Sequence, residues 1–234
     1  MPSLPVLSLT LALAAPTQAS QPIIGLLTLP EVFGEFPCDR FTPQEVRLYP
    51  APDSSASIGA IRVERNSAFP PGGGCEGLRV AVHRQGTIEA LPLPTLEYGY
   101  ETPAAIVLRQ RGRWFEVRLS DGAAWVHASG RDEYLPLRQL LAEGLTYLTG
   151  AWDGRLGASP GAPASAPAER GGRDEWSVRV TDLREIEDVL WVEVELLSDS
   201  PCTSIEDPSV RARGWLPAHA PSGELNVWFY SRGC

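Results

Sequence analysis

The stretch RWFEVRLSDGAAWV, Arg113 to Val126, constrains the fold more tightly than any other part of the chain. Phe115, Val117 and Leu119 alternate with Glu116 and Arg118, the period-two pattern of a strand with one apolar and one polar face. Ser120-Asp121-Gly122 supplies a turn, and Ala124 to His127 resumes as a return strand. A lone antiparallel pair is marginal in water, so more strands must cover its apolar face. Upstream segments supply them. Val46 to Tyr49 precedes a turn at Pro50 to Ser55, and Ile58 to Val63 follows it with Ile61 and Val63 on one face. Leu78 to Val82 and Thr87 to Leu91 flank Gln85-Gly86, the signature of a tight hairpin. Ile106 to Leu108 leads into the opening pair across Gln110-Arg111-Gly112. One helix interrupts the strands. Leu137, Leu140, Leu141, Leu145 and Leu148 recur at helical spacing between Pro136, suited to a first turn, and Gly150, suited to a stop.

From Gly157 to Gly172 the chain reads GASPGAPASAPAERGG, small residues and proline without apolar periodicity. Such a segment buries nothing and is stiffened toward extended conformations, as a linker is. The expected organisation is a signal segment at 1–19, an N-terminal part at 20–156, a linker at 157–173 and a C-terminal part at 174–234. The C-terminal part echoes the opening feature. Trp191-Val192-Glu193-Val194-Glu195-Leu196 matches Trp114 to Leu119 at four of six positions, and Gly214-Trp215-Leu216 resembles Ala124-Trp125-Val126. The two Trp stand 11 positions apart in the first copy and 24 in the second, which carries an insertion with Cys202. This points to a duplicated unit.

VRLYPAPDSSASIGAI, Val46 to Ile61, with RWFEVRLSDGAAWVHAS, Arg113 to Ser129, resembles the bacterial SH3-like domain family. Members share an Arg- and Pro-containing first strand, a small-residue turn, an Ile-Gly strand, a Trp-apolar-x-Val strand, a Gly turn and a Gly-Trp-Val strand. Ala124 stands where that last Gly is usual, and the segment from about Glu64 to Pro103 replaces a short loop. The resemblance implies a mainly β protein of two small SH3-like barrels. The first would carry an inserted hairpin and a C-terminal helix, and the second would be smaller. It also implies a cell-envelope protein whose barrels serve as binding accessories to peptidoglycan or peptide.

Leu4 to Ala15 is apolar, about as long as the hydrophobic region of a secretion signal, and Thr17-Gln18-Ala19 offers small residues for cleavage. The run falls short of the roughly 20 apolar residues of a membrane-spanning helix, so no transmembrane anchor is expected in the mature chain. Export to the periplasm or beyond also suits four cysteines, Cys38, Cys75, Cys202 and Cys234, which read as two disulfides. Of three pairings, Cys38–Cys75 with Cys202–Cys234 closes moderate loops within each half, each worth roughly 3–4 kcal/mol by loop entropy. No C-x2-C or nearby Cys/His pair suggests zinc, and no motif calls for a cofactor. All 20 basic side chains are Arg, and a net charge of −9 without a basic run argues against nucleic acid or an anionic membrane as partner.

Catalytic groups are sparse. His83, His127 and His219 lie far apart, and no Gly-x-Ser-x-Gly elbow or phosphate loop occurs. Asp132-Glu133 and the group Glu185, Glu187 and Asp188 read as turns or solvated faces rather than as a glycosidase pair. Trp114, Trp125, Trp191 and Trp215 occupy repeated strand positions, which predicts core or rim packing. Tyr49, Tyr98 and Tyr100 are the residues expected to form a ligand-binding surface. The expected function is an exported, non-catalytic binding module recognising peptidoglycan or an envelope protein. The alternatives are a structural or assembly subunit contacting protein only and, more remotely, a hydrolase.

Overall fold

A computed structural model describes residues 21–33, 45–65, 78–87, 89–163, 176–202 and 207–231. Its elements run in the order β1 (Gly25–Leu27), α1 (Pro30–Phe33), β2 (Glu45–Leu48), β3 (Gly59–Arg65), β4 (Leu78–Arg84), β5 (Leu91–Pro92), β6 (Thr95–Gly99), β7 (Thr102–Arg111), β8 (Trp114–Leu119) and β9 (Gly122–His127). Then follow β10 (Tyr134–Pro136), α2 (Leu137–Glu143), β11 (Thr146–Leu148), β12 (Trp176–Ile186), β13 (Val189–Leu197), β14 (Val210–Pro217) and β15 (Val227–Phe229). The protein is mainly β, as the alternation predicts. Its strands form three antiparallel sheets, and none closes on itself among the described residues.

The first sheet runs β10-β1-β7-β8-β9, with β6 also on β7. Ala105 pairs with both Leu27 and Thr95, so β1 and β6 lie on opposite sides of β7. The β7–β8 turn closes on Arg111 and Trp114, with Gly112 at φ 59°, the left-handed backbone that a tight hairpin requires. The second sheet, β2-β3-β4-β5, pairs the chain on either side of Gln85-Gly86, but not as the tight hairpin expected: the return strand is only Leu91–Pro92, with Val82 opposite Leu91. Reciprocal hydrogen bonds between Tyr49 and Trp125, of 2.8 and 2.9 Å, join it to β9.

The third sheet, read from its far end, runs β15-β11-β12-β13-β14. This is the strand order of the first sheet with β15, β11, β12, β13 and β14 standing for β10, β1, β7, β8 and β9. The register repeats as well: Glu116 faces Trp125 and Trp114 faces His127, while Glu193 faces Trp215 and Trp191 faces Pro217. Even the edge contact recurs, because Gly157 and Trp215 exchange two 2.8 Å hydrogen bonds as Tyr49 and Trp125 do. Each of these edge residues follows an Arg-Leu pair, Arg47-Leu48 or Arg155-Leu156, whose Leu is buried.

Two features differ from the sequence reading. Helical spacing over Leu137 to Leu148 becomes a helix only as far as Glu143. Gly144 is extended at φ −112° and ψ 162°, and Thr146–Leu148 is paired on both sides, by β12 and β15. Two strand ladders outweigh a helix propensity that is weak per residue. Second, the sheets change before the Pro/Ala segment. β11, placed by sequence in the N-terminal part, is an interior strand of the third sheet, and Gly157 is bonded to that sheet's edge strand, β14. Gly214 permits this approach, since a Cβ there would lie 2.8 Å from the Gly157 carbonyl oxygen and from Leu156 Cβ. Residues 1–20 and 164–175, covering the expected signal and most of the expected linker, lie outside the described residues, as do Cys38, Cys75 and Cys234.

Two cores result. Leu27, Ala105, Val107, Phe115, Val117 and Leu119 meet Leu48, Ile61, Val63 and Val82 between the first and second sheets. Leu26, Ala104, Ile106 and Leu108 alternate with them and enter a second core with Val192, Val194, Leu196 and Leu216 of the third sheet. Leu137, Leu140 and Leu141 of α2 complete that core. Among the described residues the second copy has no counterpart of β3–β5, and the back of the first sheet takes their place. Each such buried side chain contributes roughly 1.5–3 kcal/mol, so the two halves stabilise one another.

Candidate functional site

The four repeated Trp occupy the faces turned away from both cores. Trp114 and Trp125 alternate with core-facing Phe115, Ala124 and Val126, and Trp191 and Trp215 alternate with Val192 and Leu216. Trp125 and Trp215 are buried there and Trp114 and Trp191 half-buried, the rim packing expected of them, while Trp152, Trp176 and Trp228 join the second core. Pleat geometry makes this inevitable, because Trp114 and Phe115 are neighbours in sequence and must point to opposite faces. The alternation in the sequence already contained this signal, and repetition of the Trp obscured it.

On the outer face of β8 and β9 the aromatic side chains assemble into a shelf. The Tyr49 and Trp114 rings meet edge to face at 5.1 Å, and the Trp114 and His127 rings at 4.9 Å. The cross-strand pair Trp114–His127 supplies one contact, and the β2–β9 bridge brings Tyr49 to the other. Tyr49 and Trp114 are half-buried and His127 is exposed, so the shelf keeps ring surface open to solvent. Beside it lies the cross-strand row Arg109, Glu116, Trp125. Arg109 grips Glu116 through two charge-assisted bonds, Nε to Oε2 at 2.5 Å and a terminal nitrogen to Oε1 at 2.6 Å. Its guanidinium also lies 5.6 Å from the Trp125 ring centroid, within cation–π range. The Glu116 carboxyl is nearly covered at 8% exposure while Arg109 is 59% exposed. The hydrogen bonds and charge of Glu116 raise the Arg109 pKa above its ordinary value. Arg109 is thus held in place, with its outer surface available to a ligand oxygen.

The second copy carries a related arrangement. The Arg184 guanidinium sits 4.9 Å over the Trp215 ring, and Gly157 closes the edge that Tyr49 closes in the first copy. Glycine brings no ring, so the three-ring shelf is particular to the first copy.

Of the three tyrosines expected to bind ligand, only Tyr49 belongs to this shelf. Tyr98, on β6, is half-buried and packs against the second core. Tyr100 is 67% exposed at the β6–β7 turn, where its carbonyl accepts a 3.1 Å hydrogen bond from Thr102 Oγ1. The expected trio is therefore not one surface. Trp114, His127, Arg109 and Glu116 join Tyr49 instead. Cys202 follows β13, where its amide donates to Ser200 Oγ at 3.2 Å, and no cysteine is free among the described residues.

No protein-family model, curated protein or solved structure matches the chain.

The acidic groups fall into different settings. Glu187 and Asp188 are the two loop residues of the β12–β13 hairpin, with φ of 50° and 62°. Asp132 instead sits against Glu31. Glu31 Oε1 accepts 3.0 Å bonds from Ser129 Oγ and Arg131, while Asp132 Oδ2 accepts the Ser129 amide at 2.5 Å. Their remaining oxygens, Glu31 Oε2 and Asp132 Oδ1, are buried without a donor. Burial, and then the neighbouring Glu31, push the Asp132 pKa up. Burial opposes ionisation of Glu31 too, but its backbone and Ser129 hydrogen bonds hold its pKa below the ordinary value. One proton shared between the carboxyls accounts for both directions. The histidines lie in three separate places: His83 bonds Glu64 at 2.8 Å, His127 stacks on Trp114 and His219 bonds the Ile23 carbonyl at 2.9 Å.

Proposed function

We propose that this protein is an exported, non-catalytic binding module of the bacterial cell envelope, which grips peptidoglycan on the shelf of Tyr49, Trp114 and His127. The observation that carries this reading is a half-exposed aromatic cluster on a face that neither core uses, bordered by an anchored Arg109–Glu116 pair. Sugar rings present C–H faces that stack on aromatic rings, and their hydroxyl and carbonyl oxygens suit the fixed Arg109 guanidinium. The apolar leader and the even cysteine count support export. The strand order common to the two five-stranded paths supports reading the chain as two SH3-like units.

The test is sedimentation of the mature chain with isolated peptidoglycan. Wild type should leave the supernatant, and Trp114→Ala should stay in it while retaining its far-UV circular dichroism. Wild-type protein left wholly in the supernatant at low and moderate salt refutes the reading. Recovery with one stoichiometric envelope protein instead would favour an assembly subunit.

A further inference from the structure

Next to the shelf, the outer face of the second sheet holds a cleft of about 270 Å³ whose walls include Arg47, Arg62, His83 and Arg84. Its position follows from the register. Arg47, Ala60 and His83 form one cross-strand row, and Gly59 lies between Leu48 and Arg84 in the next. Ala60 in the middle strand leaves a depression between Arg47 of β2, Arg62 of β3 and His83 of β4, whereas Arg84 shares the row of core-facing Leu48 and holds Asp121. Gly59 is required there, since a Cβ would lie 2.2 Å from the His83 carbonyl oxygen.

Two outward arginines beside one cleft, Arg47 and Arg62, stand out in a chain of net charge −9. Internal acids engage them unevenly. Arg62 bonds Glu45 at 2.9–3.0 Å, and Arg84 holds Asp121 with two bonds of 3.1 and 3.2 Å. Arg47 is 68% exposed and reaches Glu45 only at 3.7 Å. Glu45 is the one carboxylate lining the cleft, beside the Arg47 and Arg62 side chains, while His83 is bonded to Glu64 at 2.8 Å. We infer that this cleft binds a carboxylate of the ligand whose ring lies on the Tyr49–Trp114 shelf. Arg47 makes the primary contact, and Glu45 acts as an internal competitor that an incoming carboxylate displaces from Arg62. Tyr49 directly follows β2 and stands two residues from Arg47 in extended chain, so ring and carboxylate sites lie about 7 Å apart along it. This inference rests on the shelf reading and adds to it the charge of the ligand.

Two probes test it: muramyl dipeptide with its free carboxylate, and the same compound with that carboxylate converted to the primary amide. Each is titrated into the mature chain, with the Trp114 indole and the Arg47 side chain followed by NMR. The acid should bind about tenfold more tightly than the amide, as expected for a charge-assisted contact. Arg47→Gln should remove that preference without weakening the amide. Glu45→Gln should tighten the acid severalfold by freeing Arg62, an effect that a purely structural role would not produce. Equal binding of acid and amide to wild type, both moving the Trp114 indole, overturns the inference and leaves the shelf intact. Failure of either probe to move that indole overturns both.

Discussion

Replacing Leu148 by alanine tests whether the two halves share one core. Leu148 is 1% exposed, pairs with Trp176 on one side and Val227 on the other, and precedes the Pro/Ala segment. The change removes three buried carbons, a transfer loss of about 2.4 kcal/mol at roughly 0.8 each. A cavity term adds to this because the neighbouring Trp and strands relax only partly, giving about 3–4 kcal/mol in all. With a urea slope of about 2.5 kcal/mol/M, the midpoint should fall by between about 1 and 1.5 M. Far-UV dichroism and Trp fluorescence should report one transition, and both should move together. Leu26→Ala, on β1 and 0% exposed, should shift the same transition. A midpoint change below about 0.3 M, or two transitions of which only one moves, would refute the shared core. So would a cooperative transition in the isolated 174–234 segment, which lacks β11 and the back of the first sheet.

Four further outcomes are expected. Burial lowers the His219 pKa although its ring bonds the Ile23 carbonyl; stability should be full above the unfolded value near 6.5 and fall as pH drops through the lowered folded one, and His219→Gln should flatten that dependence in thermal melts between pH 7 and 5. Asp132→Asn should stabilise at pH 7, by no more than about 1 kcal/mol given partial solvent access, because an amide donates to Glu31 without a shared proton; since the raised Asp132 pKa favours the fold below it, the gain should vanish in acid, and a gain that persists there refutes the shared proton. Glu195 is held well below the ordinary carboxylate range by Arg213 and Arg179, so Glu195→Gln should lower the melting temperature at pH 7 and converge with wild type as pH falls through that lowered value. Non-reducing peptide mapping should recover Cys202–Cys234 and Cys38–Cys75, the pairing that closes a moderate loop within each half; a Cys38–Cys202 peptide would refute that pairing.

The sequence by itself determined the local β structure. Period-two alternation in Trp114–Leu119 placed Phe115, Val117 and Leu119 on one face, and turn residues at Gly86, Gly112 and Gly122 set the hairpins. Both signals act between near neighbours and need no partner. The duplication was also legible, as WFEVRL against WVEVEL, and the structure extends it to strand order and register. Only tertiary structure decided where the copies divide, because Leu148 at helical spacing gains more from two ladders and a core than from one further helical turn. The same alternation set the repeated Trp opposite core-facing Phe115 and Val192, but which rings they would meet was left to the tertiary structure. The shelf was invisible in sequence for the same reason. Tyr49 and Trp114 are far apart along the chain, and only the β2–β9 bridge brings their rings within 5.1 Å.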